Sequence, residues 1–381
     1  MKKYLIVLTS LELGGAERQA LNFVDYLLNN NNEVEVVGFC NPGKIIEICR
    51  NKGILCSLLE DTRGSIAKKI AWRIDGVRGD SAEVSNYKYL SKLVARYIEV
   101  HKIDSCISYC SPANTIACYA KKYYPKCKYS WYQRDDGLCY EPYELRDKAL
   151  HIADNVLSNG ISGQKWIMDK HNVIAGVIHN GVRLQPQKQT ASEWKIRLGL
   201  ADENVVCTMI AHFNSTKKNH YQNVRTIKAL VDDGYKQVVM LFAGRPDERD
   251  YYDDIVRYVN ENQLENNVRF LNEVDDITGL LSITDICFFG TNREGNPNGV
   301  IEAALFGLPV VASDLPEIRE VVSYDSIPYL FKNDDIDYAR DCIKKLVDNP
   351  ALRCELGSKN KEKALEEFTP EKNFKRLMDI T

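Results

Sequence analysis

Glu294 and Glu302 bracket the segment Gly295-Asn296-Pro297-Asn298-Gly299-Val300-Ile301. Local rules predict a short helix there, with Asn296 as N-cap, Pro297 at the first position, Gly307 closing it and Pro309 beyond. Glu294 then falls in the loop before the helix and Glu302 about a turn and a half inside it. A helix N-terminus offers amides to a phosphate, and the two carboxylates can accept hydrogen bonds from sugar hydroxyls. The bland account makes Glu302 an exposed helix residue and Glu294 a loop charge, which the apolar neighbours Ile301, Ala303 and Ala304 fit less well.

Two other segments carry weaker signals. Ala211-His212-Phe213-Asn214-Ser215-Thr216-Lys217-Lys218-Asn219-His220 leaves an apolar run and enters a helical pattern over Tyr221 to Leu230. Lysines just beyond a strand end can neutralise a diphosphate leaving group as strongly hydrated point charges, or stand in solvent. This segment alone favours neither. Gly14 and Gly15 lie between the first apolar run and a helix start. A glycine pair lets backbone amides approach a phosphate. With neither GxGxxG nor GK[ST] spacing, a tight turn in which Glu17 complements the helix dipole is the simpler account.

Loops of this kind need parallel strands behind them, and the apolar runs supply candidates. In the first half these are Tyr4 to Thr9, Glu33 to Cys40, Ser105 to Cys110, Lys128 to Gln133, Asn155 to Ser158 and Val173 to His179. The second half offers Val205 to Phe213, Val238 to Ala243, Val268 to Leu271, Ile286 to Phe289 and Pro309 to Ala312. Between the first two runs, Ala20, Phe23, Val24, Leu27 and Leu28 share one helical face over Ala16 to Asn30. The stretch 183–199 is polar and reads as a linker, giving a domain over 1–182 and another over 200–381, whose last helix is free to pack back on the first. Paired α/β sheets form a cleft at their strand C-terminal edges, where ligands sit.

The whole chain agrees with this architecture. Its 381 residues exceed one hydrophobic core, and 44% hydrophobic with 27% charged residues describes a folded soluble chain rather than a disordered or fibrous one. The net charge of −3 gives no whole-protein attraction to nucleic acid, although residues 1–180 carry 24 basic against 20 acidic side chains and the rest the reverse bias. Twelve cysteines dispersed through apolar stretches point to a reduced, cytoplasmic setting rather than a disulfide framework. No CxxC pair and no histidine cluster has metal-ligand spacing, and no run is long enough to span a bilayer.

Gly14-Gly15-Ala16-Glu17-Arg18-Gln19, His179-Asn180-Gly181-Val182, Lys217-Lys218-Asn219-His220 and Glu294-Gly295-x-Pro297-Asn298-x-x-x-Glu302-Ala303, followed by Gly307-x-Pro309-Val310-Val311, resemble the retaining glycosyltransferases of family 4. The likeness runs through nearly the whole chain in order, and the paired glutamates are its most specific part. It implies the GT-B fold, an α/β architecture of two facing Rossmann-like domains with parallel sheets and an interdomain cleft. It also implies a nucleotide-sugar donor, most often a UDP-sugar, bound by the second domain, a glycan or lipid-linked acceptor bound by the first, and transfer without a metal. Carried over, Glu302 holds the ribose, Glu294 the donor sugar and Lys217 the diphosphate. Gly14, Gly15, Lys218, Gly295, Asn296, Pro297 and Asn298 complete the donor surface.

Three departures stand out. His212 occupies the place of the usual arginine five residues before the lysine, joining Glu294 and Lys217 as a catalytic candidate able to donate through an imidazole N–H. Ser108 to Pro112 lacks the histidine that contacts the donor sugar in many members, leaving Arg134, Asp135 and Asn180 as candidates for sugar or acceptor contact. Asp314 to Glu320 replaces a glycine pair but keeps Glu320, a candidate for the nucleotide side. Rival readings are a metal-dependent transferase using Asp335-Ile336-Asp337, a nucleotide-sugar epimerase on the same fold, and a binding relative with weak turnover.

Residues 62–102 carry nine basic and four acidic side chains, with Ile66, Ile70, Ile74 and Val77 at helical spacing and Trp72 nearby. Lys121-Lys122-Tyr123-Tyr124-Pro125-Lys126 adds a second basic and aromatic patch. These fit peripheral contact with an anionic membrane and equally an ordinary amphipathic helix with solvated lysines.

Overall fold

Strands covered by helices on both faces read as nearly continuous apolar runs, and each run named above contributes a strand. The computed structural model describes residues 1–59, 81–134 and 143–381. Within them the chain divides into two units, Met1–Gly181 with Pro370–Thr381, and Val182–Thr369.

The first unit holds a seven-stranded parallel sheet of order β3-β2-β1-β4-β5-β6-β7. Its strands are β1 Lys3–Ser10, β2 Glu33–Cys40, β3 Leu55–Leu58, β4 Ser105–Tyr109, β5 Lys128–Gln133, β6 Asn155–Ser158 and β7 Gly176–Val177. Val173 to His179 thus yields only two strand residues, and Leu55–Leu58, a short edge strand, escaped the periodicity. The helix Gly15–Asn29 buries Ala20, Phe23, Val24 and Leu27. Against it lies the helix Pro370–Ile380, whose Phe374 ring stands 5.5 Å from Phe23 and 5.8 Å from Tyr26. Burying Phe374 and Leu377 there contributes roughly 1.5 to 3 kcal/mol each.

In the second unit six parallel strands run in the order β10-β9-β8-β11-β12-β13. These are β8 Val205–Ile210, β9 Val238–Ala243, β10 Val268–Phe270, β11 Ile286–Phe289, β12 Val310–Ser313 and β13 Leu330–Phe331. The last, another edge strand of two residues, carried no periodic signal. Within the polar stretch 183–199 the chain forms a helix, Ala191–Leu198, opened by a Thr190/Glu193 capping box and closed by Gly199 at φ +60°. Its single buried residue, Trp194, donates through Nε1 to Asp276 Oδ2 at 3.0 Å. A helix that is polar except for one anchor looks like a linker by composition.

Strand order reverses between β1 and β4 in the first sheet and between β8 and β11 in the second. Loops leaving the carboxyl ends of such strands diverge and open a crevice, the usual ligand position in α/β sheets. Among the described residues no helix is long and apolar enough to cross a membrane, and the eleven described cysteines are free thiols.

Candidate functional site

At the reversal in the second sheet, the loops after β8 and β11 are joined through their backbones. Asn219 N–H donates to Gly290 O at 3.0 Å, Asn292 N–H to Lys217 O at 2.8 Å, and Lys218 bridges Thr291. Lys217 closes a turn on Asn214, whose carbonyl accepts from the N–H groups of Lys217 and Lys218 at 3.2 and 2.8 Å. The bridge to Thr291 then holds Lys218, whose ammonium forms an ion pair with Glu294, while the Lys217 side chain is left exposed. The Lys218 and Glu294 side chains are 18% and 8% exposed. Thr291 Oγ1 also lies 2.7 Å from Glu294 Oε1, and the Lys218 ammonium sits 5.0 Å from the Phe289 ring centroid. Of the two lysines, the structure brings Lys218, rather than Lys217, to the glutamate.

Behind this pair lies a layer the sequence did not announce. Thr291 N–H donates to Ser313 Oγ at 2.8 Å, Ser313 Oγ to Asn333 Oδ1 at 2.7 Å, and Asn333 Nδ2 to Thr291 O at 3.0 Å. The only signal available was that polar residues follow the apolar strands. His220 anchors the Lys218 loop from below. Its ring stacks on Phe213 at 4.0 Å, and the Tyr251 hydroxyl accepts from His220 N–H at 3.0 Å while donating to Lys218 O at 3.2 Å. Burial, with Lys218 adding to it, pushes the His220 pKa down to about 3, so the imidazole is neutral.

The short helix starts one residue later than its sequence signals suggest. It spans Asn298–Phe306, with Pro297 as the extended N-cap at ψ 100° and no side chain capping it. Pro297 fills the cap because its carbonyl accepts from Val300 and Ile301 N–H, at 3.1 and 3.0 Å. Asn296 is buried ahead of the cap, and Gly295 and Asn298 are half-buried. Gly299 lets the first turn press onto β8, since a Cβ there would lie 2.5 Å from Ile210 O. Gly307 closes the helix at φ +100°. Glu302 is half-buried on this helix near Cys287, whose thiol burial and the Glu302 charge push up to about 12.

His212 follows β8. Its Nδ1 accepts from Arg245 N–H at 3.0 Å, which places the neutral ring's proton on Nε2. Glu320 lies on the helix Pro316–Val321 within electrostatic reach of Lys363, an ammonium that donates to Val322 O at 2.8 Å. Asp335 and Asp337 are occupied structurally: the first caps the helix Ile336–Asp348, accepting from Tyr338 N–H, and the second pairs with Arg340 at 2.8 Å. A pocket of about 490 Å³ opens beyond β10, lined by Trp194, Arg197, Leu271, Val274 and Asp275 among others. Among the described residues no three His, Cys, Asp or Glu side chains converge as a metal site.

In the first unit Gly14 is the extended N-cap of its helix, and its carbonyl accepts from Arg18 N–H at 3.0 Å. Glu17 folds back over it, so that a Cβ on Gly14 would meet Glu17 Oε2 at 2.6 Å. A carboxylate thus complements this helix end, as the turn reading expects, beside exposed Gly15. Arg134 and Asn180 come together from distant segments, Nη2 donating to Oδ1 at 2.6 Å, with the guanidinium 4.8 Å from the Tyr132 ring centroid. Asp135 lies outside the described residues, as do residues 62–80 of the basic segment.

Residues 190–363 match the family model of glycosyl transferases group 1. The N-acetyl-alpha-D-glucosaminyl L-malate synthase of Bacillus anthracis is 22% identical over 185 residues, covering 49% of this chain and 47% of that protein. The capsular polysaccharide biosynthesis glycosyltransferase CapM of Staphylococcus aureus is 21% identical over 170 residues, 45% of this chain and 44% of its own length. The chain thus spans about half the length of these curated relatives. Among solved structures, Anabaena HepE in complex with UDP aligns at TM-score 0.79 and 18% identity, over 100% of this chain and 99% of that one. The chain therefore has the GT-B fold of two Rossmann-like units, and its second unit carries the match to group 1 glycosyl transferases.

Proposed function

We propose that this protein is a retaining glycosyltransferase of family 4 type, moving a sugar from a nucleotide-sugar, a UDP-sugar first, to a glycan or lipid-linked acceptor. The observation that carries the reading is the Lys218–Glu294 pair beside the start of the helix Asn298–Phe306, at the strand-order reversal of the second sheet. The group 1 match over that unit supports it, as do the capsular polysaccharide glycosyltransferase among the relatives and the UDP and UDP-glucose complexes of HepE.

Breaking an anomeric bond to a diphosphate gathers negative charge on the departing group, and preorganised donors aimed at that charge dominate catalysis of this kind. Lys218 supplies a fixed cation, His212 a donor through Nε2–H, and the helix start its backbone amides and dipole. Glu294 orients Lys218 and accepts from donor-sugar hydroxyls, while Glu302 takes the ribose. With this positive charge on the chain itself we read transfer as metal-independent, and full loss of activity in EDTA, restored by Mn²⁺, would overturn that part. The first unit takes the acceptor, and a lipid-linked acceptor would make membrane contact through residues 62–102 useful.

The test combines a thermal-shift screen with product analysis. A nucleotide at 100 times its Kd stabilises its binding state by about 2.7 kcal/mol. UDP and UDP-sugars are expected to raise the melting temperature, and sugar transfer to require an added acceptor. Conversion of the donor alone to its epimer would favour the isomerase. No shift with any nucleotide would remove the donor site.

A further inference from the structure

We propose that Arg134 and Tyr109 form an oxyanion subsite in the first unit, holding a carboxylate or phosphate of the acceptor. The word acceptor rests on the glycosyl-transfer reading above; the anion site itself does not.

Tyr109 ends β4, Tyr132 sits opposite it on β5, and Arg134 follows β5, next to the strand-order reversal of the first sheet. The two rings lie 5.4 Å apart, with the guanidinium 5.4 Å from the first centroid and 4.8 Å from the second. Asn180 accepts from Arg134 Nη2 at 2.6 Å and is itself held, its carbonyl accepting from Asn373 Nδ2 at 3.2 Å. The fork is therefore fixed in direction. Tyr132 has its own partner, donating to Ile178 O at 2.5 Å.

What this arrangement lacks is an acceptor of charge. Arg134 is 8% exposed, yet among the described residues no carboxylate pairs with it and its Nε has no hydrogen-bond partner. Tyr109, 1% exposed, has a hydroxyl with no partner either. Buried charges are costly unless paired. Elsewhere the same unit obeys that rule: buried Glu35 meets Lys3 at 2.7 Å and His101 at 2.8 Å. A guanidinium fork matches a carboxylate or phosphate in two parallel bonds, and a phenol O–H adds a third. Asn159, whose Nδ2 reaches the Arg134 backbone carbonyl at 3.4 Å, keeps a buried Oδ1 without a partner, and on this proposal that oxygen accepts from a hydroxyl of the same ligand. The chemistry selected is a hydroxylated oxyanion, a sugar or polyol phosphate or a sugar acid.

Titration calorimetry of the full chain with glycerol 1-phosphate and with glucuronate separates the two anions. At least one is expected to bind, with Arg134→Gln weakening it about tenfold or more, the loss of a charge-assisted bond. Tyr109→Phe is expected to weaken it several-fold while the urea midpoint holds or rises, because the hydroxyl it removes has no partner in the fold. Lys218→Ala is expected to leave anion binding unchanged and to lower UDP affinity. The proposal falls if neither anion binds, if binding survives Arg134→Gln, or if Tyr109→Phe leaves affinity unaltered. Anion binding through Arg134 without any UDP binding would sustain this subsite and remove the donor site instead.

Discussion

Lys218 and Glu294, 76 residues apart in sequence, meet as an ion pair where the strand order of the second sheet reverses. Each reports on the other: removing the lysine leaves a mostly buried carboxylate without its cation, and removing the glutamate frees the ammonium to move.

Lys218→Ala is accordingly expected to slow the chemical step by on the order of 10²- to 10³-fold, the usual effect of removing one preorganised charge-stabilising group. Lys217→Ala, at an exposed side chain, is expected to stay within about threefold of the parent. Single-turnover transfer measures both. A larger loss at Lys217 would return the diphosphate role to that residue, as the family resemblance first assigns it.

The two glutamates are expected to separate kinetically. Glu302→Ala weakens nucleotide binding about ten- to 150-fold, matching roughly 1.5 to 3 kcal/mol for a charge-assisted hydrogen bond, while Glu294→Ala chiefly lowers turnover. Calorimetry with UDP and steady-state rates distinguish them, and equal UDP affinity in Glu302→Ala and the parent would end the ribose assignment.

His220 gives the fold an acid sensitivity of known sign. Its folded pKa, about 3, lies below the unfolded value of about 6.5, so the unfolded chain takes up a proton first as pH falls. Its contribution is complete above about pH 6.5 and is lost by roughly 1.4 kcal/mol per unit down toward pH 3. The urea midpoint is expected to drop between pH 7.5 and 5.0 in the parent and to drop less in His220→Phe. Identical slopes in the two proteins would contradict the assignment.

Co-sedimentation with anionic vesicles at low salt is expected to retain the parent and to lose the Lys68→Glu, Lys69→Glu, Arg73→Glu triple variant, each basic side chain near such a surface adding about 1 kcal/mol. Lys92 stands 5.5 Å from the Tyr123 ring centroid, so the second basic patch is joined to the helix Ala82–His101. If the triple variant binds vesicles as the parent does, an ordinary solvated helix is the better account.

Apolar periodicity made most of both sheets legible, because interior strands buried on two faces leave continuous runs such as Val238–Ala243. The edge strands Leu55–Leu58 and Leu330–Phe331 were not legible, the first because it is short and partly exposed, the second because two buried residues are too few to show a period. The glutamate pair and the glycine that closes its helix could be read locally. Which of the two lysines meets Glu294 could not, since it depends on the bridge from Lys218 to Thr291, a contact between residues distant in sequence. Arg134 meeting Asn180 is equally a product of tertiary folding.

The helix Pro370–Ile380 gives the order of synthesis a structural meaning. Its Phe374 and Leu377 complete the core begun by Phe23 and Leu27, and Ile380 O accepts from Lys128 Nζ at 2.6 Å. The unit that holds β1 is therefore completed only by a segment made after the whole of the second unit. Val182 N–H and Phe368 O, hydrogen-bonded at 2.7 Å, draw the two ends of the intervening unit together. That unit behaves as an insertion that can close before its host does. Losing residues 370–381 would strip the first unit, leaving the second sheet intact, so a nascent chain halted at Thr369 would expose the apolar face of Gly15–Asn29 to whatever chaperone is at hand.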